Sequence, residues 1–501
     1  MAVFRFIVIL LFATQLRAAS LQIRVATFNA SLNRDTVDLL PADLATTTNV
    51  QAKKVAEILQ RVRPDVVLIN EFDVDPTSNA FRVLSLNRFH GNYLAVSQNG
   101  LAPLNYPYRY AAISNTGVRT GATSAADGDF DNNGTVVTTY SDTATKAEKD
   151  LYGNDCFGFG WFPGQYSFAV YSRFPIQTSA IRSFRTFLWK DMPGHVMPPG
   201  YYSASEQNVF RLSSKNHVDL PIEVKPGQVF HLLASHPTPP AFDSTEDRNG
   251  RRNHDEIRLW KEYLGHAPFL YDDAGVFGGL SSANGEQRFV ILGDMNADPL
   301  DGDSFDAAIK QLRNHPLVNS TPNPGSAGGA EQGALLGGAN ANDIGAHAND
   351  TSYFSPGTGN LRVDHVLPSK AGFAVTDSGV FWPASTDPLY SVLFLTASYT
   401  QTNQVTDHRL VWMDLTLTPV LSQCVRNLTA ARQANDVMLT WGSQSGIAYK
   451  VEWSTDLAQW FSTPAIQVVV NAATNTATAT DAGGASAAGK YYRVVATLSG
   501  D

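Results

Sequence analysis

Residues 50–72 read VQAKKVAEILQRVRPDVVLINEF, and this stretch decides the fold class. Val55, Ile58, Leu59 and Val62 recur at helical spacing and Pro64 stops the pattern, so Val50 to Val62 is expected to be a helix with one apolar face. Val66-Val67-Leu68-Ile69 follows as an unbroken apolar run, the mark of a strand buried on both faces. Upstream, Gln22 to Phe28 sets Ile23, Val25 and Thr27 against Arg24 and Ala26, the alternation of a further strand. Strand, helix and strand in about 50 residues indicate an α/β layer architecture.

The design repeats downstream. Ala169-Val170-Tyr171, Val229 to Ala234, Arg288 to Leu292, Leu361 to Leu367 and Leu410 to Leu417 are short apolar runs bordered by polar residues. Polar residues at the ends of buried strands are how a site on a sheet edge is built. Asn253 to Leu264 reads as a helix with a capping box from Asn253 to Glu256. Residues 322–349, rich in Gly, Ala and Asn, read as a mobile loop. After Thr418 the composition shifts to Thr, Ala and Val. Val437 to Trp441, Tyr449 to Trp453 and Tyr491 to Val495 are expected strands of a small β-sandwich with Trp441 and Tyr492 in its core. That segment loosely resembles a fibronectin type III-like module. The expected division is one large α/β domain over 21–418 and an all-β sandwich over 422–501.

The chain has 501 residues, 43% of them hydrophobic and 17% charged, an ordinary globular composition. Arg5, the apolar run Phe6 to Ala13 and the small residues Ala18-Ala19-Ser20 have the layout of a signal peptide over residues 1–20, which implies a secreted or periplasmic protein. The run is far short of the ~20 residues a bilayer requires, and no later segment reaches that length. The formal net charge is −9, and it becomes −11 when Arg5 and Arg17 leave with the signal. An acidic chain gains little from non-specific attraction to a polyanion, which argues against a protein that coats nucleic acid. It leaves room for an enzyme that grips one phosphate locally. Cys156 and Cys424 are the two cysteines. Export permits them to pair, and they are too few for a zinc site of cysteines.

The polar strand ends carry a coherent chemistry. Hydrolysis of a phosphate ester requires neutralised phosphoryl charge, an oriented and deprotonated water, and a stabilised leaving oxygen. Hard oxygen ligands suit magnesium or manganese for the first task, while Asp and His serve the others. The chain offers, in order, Thr27-Phe28-Asn29, Asn70-Glu71-Phe72, Ser235-His236, Gly293-Asp294-Met295-Asn296, Arg362-Val363-Asp364-His365 and Thr406-Asp407-His408. Any one of these occurs often by chance, and each has a bland reading as a turn, a cap or a surface acid.

Taken together and in this order, the six motifs resemble the endonuclease/exonuclease/phosphatase superfamily, the fold of pancreatic-type deoxyribonuclease, over roughly residues 22–418. The resemblance implies a four-layer α/β sandwich, two packed sheets flanked by helices. It implies that Glu71, with Asn29 beside it and Asp407 as a second carboxylate, holds Mg²⁺ or Mn²⁺. It further implies that Asp294 and Asn296 orient and activate water, that His408 contacts the phosphate with Asp364 supporting it, and that His236 faces the leaving group. Three positions depart from the usual pattern: Ser31 where many repair enzymes have Asp, Thr406 where Ser is usual, and His365, expected to be structural.

Other stretches are similar to an exported bacterial branch of that superfamily: Asn115-Thr116-Gly117, Phe157 to Gly160, Pro163 to Tyr166, Ser213-Ser214-Lys215 and Asp247 to Glu256. Lys215, Arg248, Arg251 and Arg252 are candidates to bind phosphate or a second anionic group. Asp129-Phe130-Asp131-Asn132-Asn133-Gly134 opens like a calcium loop, with Asp129, Asp131 and Asn133 as possible Ca²⁺ ligands, but its twelfth position is Tyr140 rather than Glu. The expected function is an exported metal-dependent phosphoesterase of nuclease type, with a phosphate ester as its partner and nucleic acid among the candidates. The alternatives are a phosphatase or phospholipase on a small or lipid phosphate ester, and a non-catalytic binding or adhesion protein.

Overall fold

The computed structural model describes residues 21–74, 79–122, 128–280, 288–418, 425–443, 447–471, 473–486 and 490–498. The expected signal peptide and Cys424 fall outside them. Cys156 is a buried free thiol.

Among the described residues, eleven strands precede residue 418. They are β1 (Gln22–Leu32), β2 (Val66–Phe72), β3 (Tyr108–Ala111), β4 (Phe168–Ser172), β5 (Arg182–Ser183), β6 (His217–Lys225), β7 (Gln228–Ser235), β8 (Phe289–Asp294), β9 (Asp364–Pro368), β10 (Phe373–Val380) and β11 (Val411–Leu417). They form two sheets, ordered β10-β11-β1-β2-β4-β3 and β5-β6-β7-β8-β9. Each sheet holds one parallel pair, β1 with β2 and β7 with β8. A parallel pair needs a crossover, and each contains a long helix: Val50–Val62 in the first and Arg248–Leu264 in the second.

Period-two alternation explains the layers. Val66 and Leu68 of β2 share an inner core with Leu232 of β7 and Val290 and Leu292 of β8. Val67 and Ile69 point the other way, onto Val55, Ile58, Leu59 and Val62 of the first helix. On the far side, Leu233 and Ile291 meet Ile257, Trp260 and Leu264 of the second. Helix, sheet, sheet and helix therefore stack as the expected four-layer sandwich. The runs that are apolar throughout are those buried on both sides. Among the described residues no helix is long and apolar enough to cross a membrane.

Two local expectations are corrected. The second long helix begins at Arg248, behind Asp247 in a left-handed conformation (φ 52°), not at Asn253. Asn253 and Glu256 are fully buried inside it, bonded to neighbouring loops instead of capping an end. Residues 322–349 are not structureless either. Ser326 caps a helix at Ala327–Leu336, and short 3₁₀ turns follow. Its glycines serve close packing: a Cβ on Gly328 would lie 2.5 Å from the Trp382 carbonyl oxygen, and one on Gly333 would lie 2.1 Å from the His347 ring.

Among the described residues beyond 425 the elements are strands, apart from a 3₁₀ turn at Gly484–Ser486. β12 (Arg426–Gln433), β13 (Asp436–Gly442), β14 (Ile447–Ser454), β15 (Val468–Asn471), β16 (Thr476–Asp481) and β17 (Tyr491–Leu498) pair as β12-β13-β16-β15 and β14-β17, antiparallel throughout. Trp441, Val451 and Tyr492 lie in a core of their own.

Arg288 donates to the Thr418 carbonyl at 2.7 Å, which ties the end of β11 to the second sheet. A chain ended after Thr418 keeps that bond and all three α/β cores. It is expected to be soluble and to melt in one cooperative transition, read by circular dichroism. Aggregation of the shortened chain would show that residues 419–501 complete the α/β core.

Candidate active site

The C-terminal ends of β1, β2, β7 and β8 point to one edge of the sandwich, where polar side chains replace the apolar core. Asn29 pairs with Asn70 across β1 and β2, and Asp294 pairs with Asp364 across β8 and β9. Side chains then stitch one sheet to the other. Asn29 Nδ2 donates to Asp294 Oδ2 and to Glu71 Oε1, each at 3.0 Å. Asn70 accepts from the Asp294 N–H at 3.2 Å and donates to the Ser235 carbonyl at 3.4 Å.

Asp294 is at the centre. His236 Nε2 lies 3.5 Å and His408 Nε2 3.6 Å from its Oδ2, while its Oδ1 accepts from the Asn296 N–H at 2.9 Å. Burial opposes its charge, but His408, His236 and Asn29 outweigh that and hold the carboxyl below the usual range. The other nitrogen of His408, Nδ1, is 2.8 Å from Asp364 Oδ2, which also accepts from Thr351 Oγ1 at 2.8 Å. Burial again opposes charge on His408, but Asp364 and Asp294 reverse the effect and keep the ring protonated well above its ordinary range. Burial pushes Asp364 up. His236 goes the opposite way: burial, helped by Lys215, lowers it to about 4, so it is neutral at pH 7. One carboxylate thus faces two imidazoles in different charge states, the arrangement that separates acid from base duties.

Glu71 takes a left-handed backbone conformation (φ 55°). Beyond Asn29, it accepts from Asn33 Nδ2 at 2.6 Å. Burial first, then Asp407 and Asp294, push its carboxyl up, against the Asn29 bond. Asp407 is exposed and Asn296 half-buried, so they sit nearer the mouth than Asp294, Asp364, His236 and His408, all buried. Ligand atoms of Asp294, Asp364 and His408 lie within 4.8 Å of one another, a group able to hold a metal ion. Thr406 fastens the last motif to the first, donating to the Asn29 carbonyl at 2.9 Å and accepting from the His408 N–H at 3.2 Å.

The second long helix holds the β7–β8 side in place with a buried polar face. Glu256 accepts from the Ser214 and Thr238 N–H groups, each at 2.6 Å. Asn253 donates to the carbonyls of Thr238 and Met295 at 2.8 and 2.9 Å. These bonds fix the neighbours of Lys215, His236 and Asn296. Lys215 is buried, and burial lowers its pKa against the pull of Glu256, Asp294 and Glu71.

The structure therefore brings together Asn29, Glu71, His236, Asp294, Asn296, Asp364 and His408, with Asp407 acting electrostatically on Glu71 and His408. The three arginines are a different matter. Arg252 is buried, and its guanidinium binds the carbonyls of Leu212, Phe157 and Arg211, so it is a core strut rather than part of a rim. Arg248 pairs with Glu246 at 2.7 Å, and Arg251 donates to the Glu246 carbonyl at 3.2 Å and lies over the Phe305 ring. His365 is buried with Nε2 3.0 Å from the Ala297 carbonyl oxygen, a structural setting. Sequence reasoning assigned no role to Asn33, Asn70 or Thr351. Asn70 stands beside Glu71 in a quoted motif, whereas nothing local marks Thr351.

The model of the Endonuclease/Exonuclease/phosphatase family matches residues 26–408, from the first strand to the last histidine of the site. The chain belongs to that family. Members of the endonuclease/exonuclease/phosphatase family hydrolyse phosphoester bonds, which is the chemistry this donor set suits. Among solved structures, the chain is similar to an endonuclease/exonuclease/phosphatase from Beutenbergia cavernae, at 14% identity over 95% of this chain and 92% of the other, with a TM-score of 0.41. It is also similar to ANGEL2, a 2',3'-cyclic phosphatase, at 12% identity over 79% of this chain and 96% of the other, with a TM-score of 0.34. No match was found among curated proteins.

Asp294→Asn keeps the shape of the central group and removes its charge. Turnover is expected to fall by at least ~10²-fold, as for a lost acid–base group, with the melting curve retained. Wild-type rates in this variant would move the site elsewhere. Asp364→Asn withdraws the strongest of the carboxylate charges that keep His408 protonated, so the His408 pKa falls. The alkaline limb of the pH–rate profile is expected to move to lower pH, and an unmoved limb would separate His408 from the reaction.

Proposed function

We propose that this chain is an exported, divalent-metal-dependent phosphodiesterase of nuclease type. The observation that carries the reading is the buried Asp364–His408–Asp294 line with neutral His236 on its flank and Glu71 joined to it through Asn29. In this reading Asp294, with Asn296 beside it, orients the attacking water and takes its proton. His408, charged through Asp364, meets a phosphoryl oxygen, and His236 faces the leaving oxygen.

The residues fit a hard divalent cation. Glu71, Asp294, Asp364 and Asp407 bring four carboxylates to one place against His408 and Lys215, and Glu71 is driven upward by burial and its acidic neighbours. One oxygen of Asp364 is buried without a partner. Glu71 and Asp407 would hold Mg²⁺ or Mn²⁺, with Asn29 fixing the position of Glu71, and the ion would supply neutralisation of phosphoryl charge. An idle binding protein has no physical need for such a costly cluster.

One observation favours a second reading, hydrolysis of a small or lipid phosphate ester. The arginines expected to grip a nucleic-acid backbone are engaged within the fold, and the chain is acidic. The nuclease reading therefore predicts few phosphate contacts and a shallow salt dependence, ~0.9 per neutralised phosphate in log–log slope. The accessory role of residues 422–501, as a fibronectin type III-like module, belongs to the same proposal.

Plasmid DNA, RNA and a panel of phosphate monoesters, incubated with the full chain and magnesium or manganese, test these readings. Cleavage of the diester is expected, abolished by a chelator and restored by either ion. Rapid phosphate release from a monoester with DNA intact would leave a phosphatase and overturn the nuclease. Full activity in excess chelator would overturn the metal dependence.

A further inference from the structure

Asp129 to Gly134 lies outside the site described above and is built for a purpose of its own. Asp129 folds back on its loop: Oδ1 accepts from the Asn133 N–H at 3.0 Å and Oδ2 from the Gly134 N–H at 2.7 Å. Gly134 is left-handed (φ 81°), which suits the sharp turn that calcium loops place at their sixth position. The Asn133 side chain is used by the turn itself, its oxygen accepting from the Thr135 N–H at 2.7 Å and its nitrogen donating to Asp131 at 2.9 Å.

The acid that Tyr140 fails to supply at the twelfth position comes from another segment. Asp155, just past the helix Lys146–Asn154, places an oxygen within 4.8 Å of oxygens from both Asp129 and Asp131. Asp155 is 0% exposed. Its Oδ2 accepts from the Val137 N–H and meets Arg119, each at 3.1 Å, while its Oδ1 has no hydrogen-bond partner among the described residues. A buried carboxylate oxygen without a donor is rare in folded proteins and is a place for an ordered water or an ion. The charges agree. Three carboxylates face one guanidinium, and burial together with their mutual repulsion pushes Asp155 up to about 6 and raises Asp129 as well.

We infer that Asp129, Asp131 and Asp155 form a calcium site separate from the catalytic centre. The donors are hard oxygens, and they come from a turn and a helix end rather than from an octahedral frame. Calcium accepts such irregular sets of six to eight oxygens, whereas magnesium demands near-ideal octahedral geometry. Asp131 is half-buried, which leaves the ion a way in.

The ion ties the loop to the wall behind the active site. Phe130, between two of the ligands, packs against Phe210, Phe157 and Tyr202 at ring-centroid distances of 4.4, 6.3 and 6.4 Å. Phe157 leads into Gly158, which presses so closely on the Ser214 carbonyl that a Cβ there would lie 1.8 Å from its oxygen. Ser214 adjoins Lys215. The site is therefore structural, and its ion is expected to raise thermal stability rather than to enter the reaction.

Calcium titrated calorimetrically into the metal-stripped full chain tests this, with Asp131→Ala, Asp155→Asn and Glu71→Gln beside the wild type. In Glu71→Gln, where the catalytic cation site is removed, one calcium ion is expected to bind and to raise the Tm by several degrees, as ligation of the native state must, and the same binding step is expected in the wild type. Asp131→Ala is expected to lose both effects. So is Asp155→Asn wherever that variant folds, while the exposed edge at Asp131 makes the first variant safe to read. No binding up to about 10 mM, beyond the weak end of extracellular calcium modules, would overturn the site. Undiminished binding in Asp131→Ala, loss in Glu71→Gln, or equal affinity for magnesium would overturn it too. None of these results depends on turnover, so failure here leaves the phosphodiesterase reading untouched.

Discussion

The side-chain amide of Asn29 donates to two carboxylates that belong to different sheets, Glu71 at the end of β2 and Asp294 at the end of β8. Its oxygen accepts from the Ser31 N–H at 3.2 Å, so every polar atom of a fully buried side chain is used. An aspartate at this position would add a further negative charge to the cluster, and an alanine would leave two acids without a shared donor. The bond can exist only if the two sheets end at the same level. Gly293 helps secure that: a Cβ there would lie 2.0 Å from the Ser235 carbonyl oxygen, so only glycine lets β8 run this close to β7 immediately before Asp294.

Holding Glu71, Asp294 and Asp364 together is an electrostatic problem before it is a catalytic device. Charges buried in this way persist only with opposite charges and donors around them. The structure meets that need with a protonated His408 between two acids, with the donating amides of Asn29 and Asn33, and with the buried ammonium of Lys215. The same arrangement explains why the two histidines differ. His408 faces Asp364 and Asp294 and gains a proton. His236 has Asp294 on one side and Lys215 nearby, and burial decides its state in favour of the neutral ring.

Much of this was legible in the sequence, and the physical reason is burial on both faces. Val66 to Ile69 and Val290 to Leu292 must be apolar throughout because each packs against a sheet on one side and a helix on the other, so the strands and their polar ends stand out. The polar residues at those ends stand out for the same reason, and the fold brings Asn29, Glu71, His236, Asp294 and His408 together. Legibility failed where polar residues are buried for structural ends. Asn253 and Glu256 have the spacing of a capping box, but they are interior residues whose partners lie on distant loops. Arg252 reads as a surface cation, yet three backbone carbonyls absorb it. The Gly-rich stretch near 328–333 reads as a mobile loop because sequence alone does not show Trp382 and His347, the neighbours that require small residues there.

The two parallel crossovers show how one plan serves two tasks. The helix Val50–Val62 covers its sheet with apolar contact and adds a polar anchor of its own: Gln51 Nε2 donates to the carbonyls of Ser31 and Val405 at 2.9 and 3.0 Å, close to Asn29 and Thr406. The helix Arg248–Leu264 also packs on its sheet, but one turn of it is a buried row of hydrogen bonds to the segments around Lys215, His236 and Asn296. Apolar packing places a helix to within a side-chain rearrangement, whereas bonds from Glu256 and Asn253 to backbone groups fix individual atoms. Ion binding tolerates small adjustments of a carboxylate. Proton transfer does not, because its rate depends on heavy-atom distances within hydrogen-bond reach. In the proposed mechanism Glu256 and Asn253 hold the segments of His236 and Asn296, and Gln51 holds those of Asn29 and Thr406, so both crossover helices anchor backbone around the reacting groups.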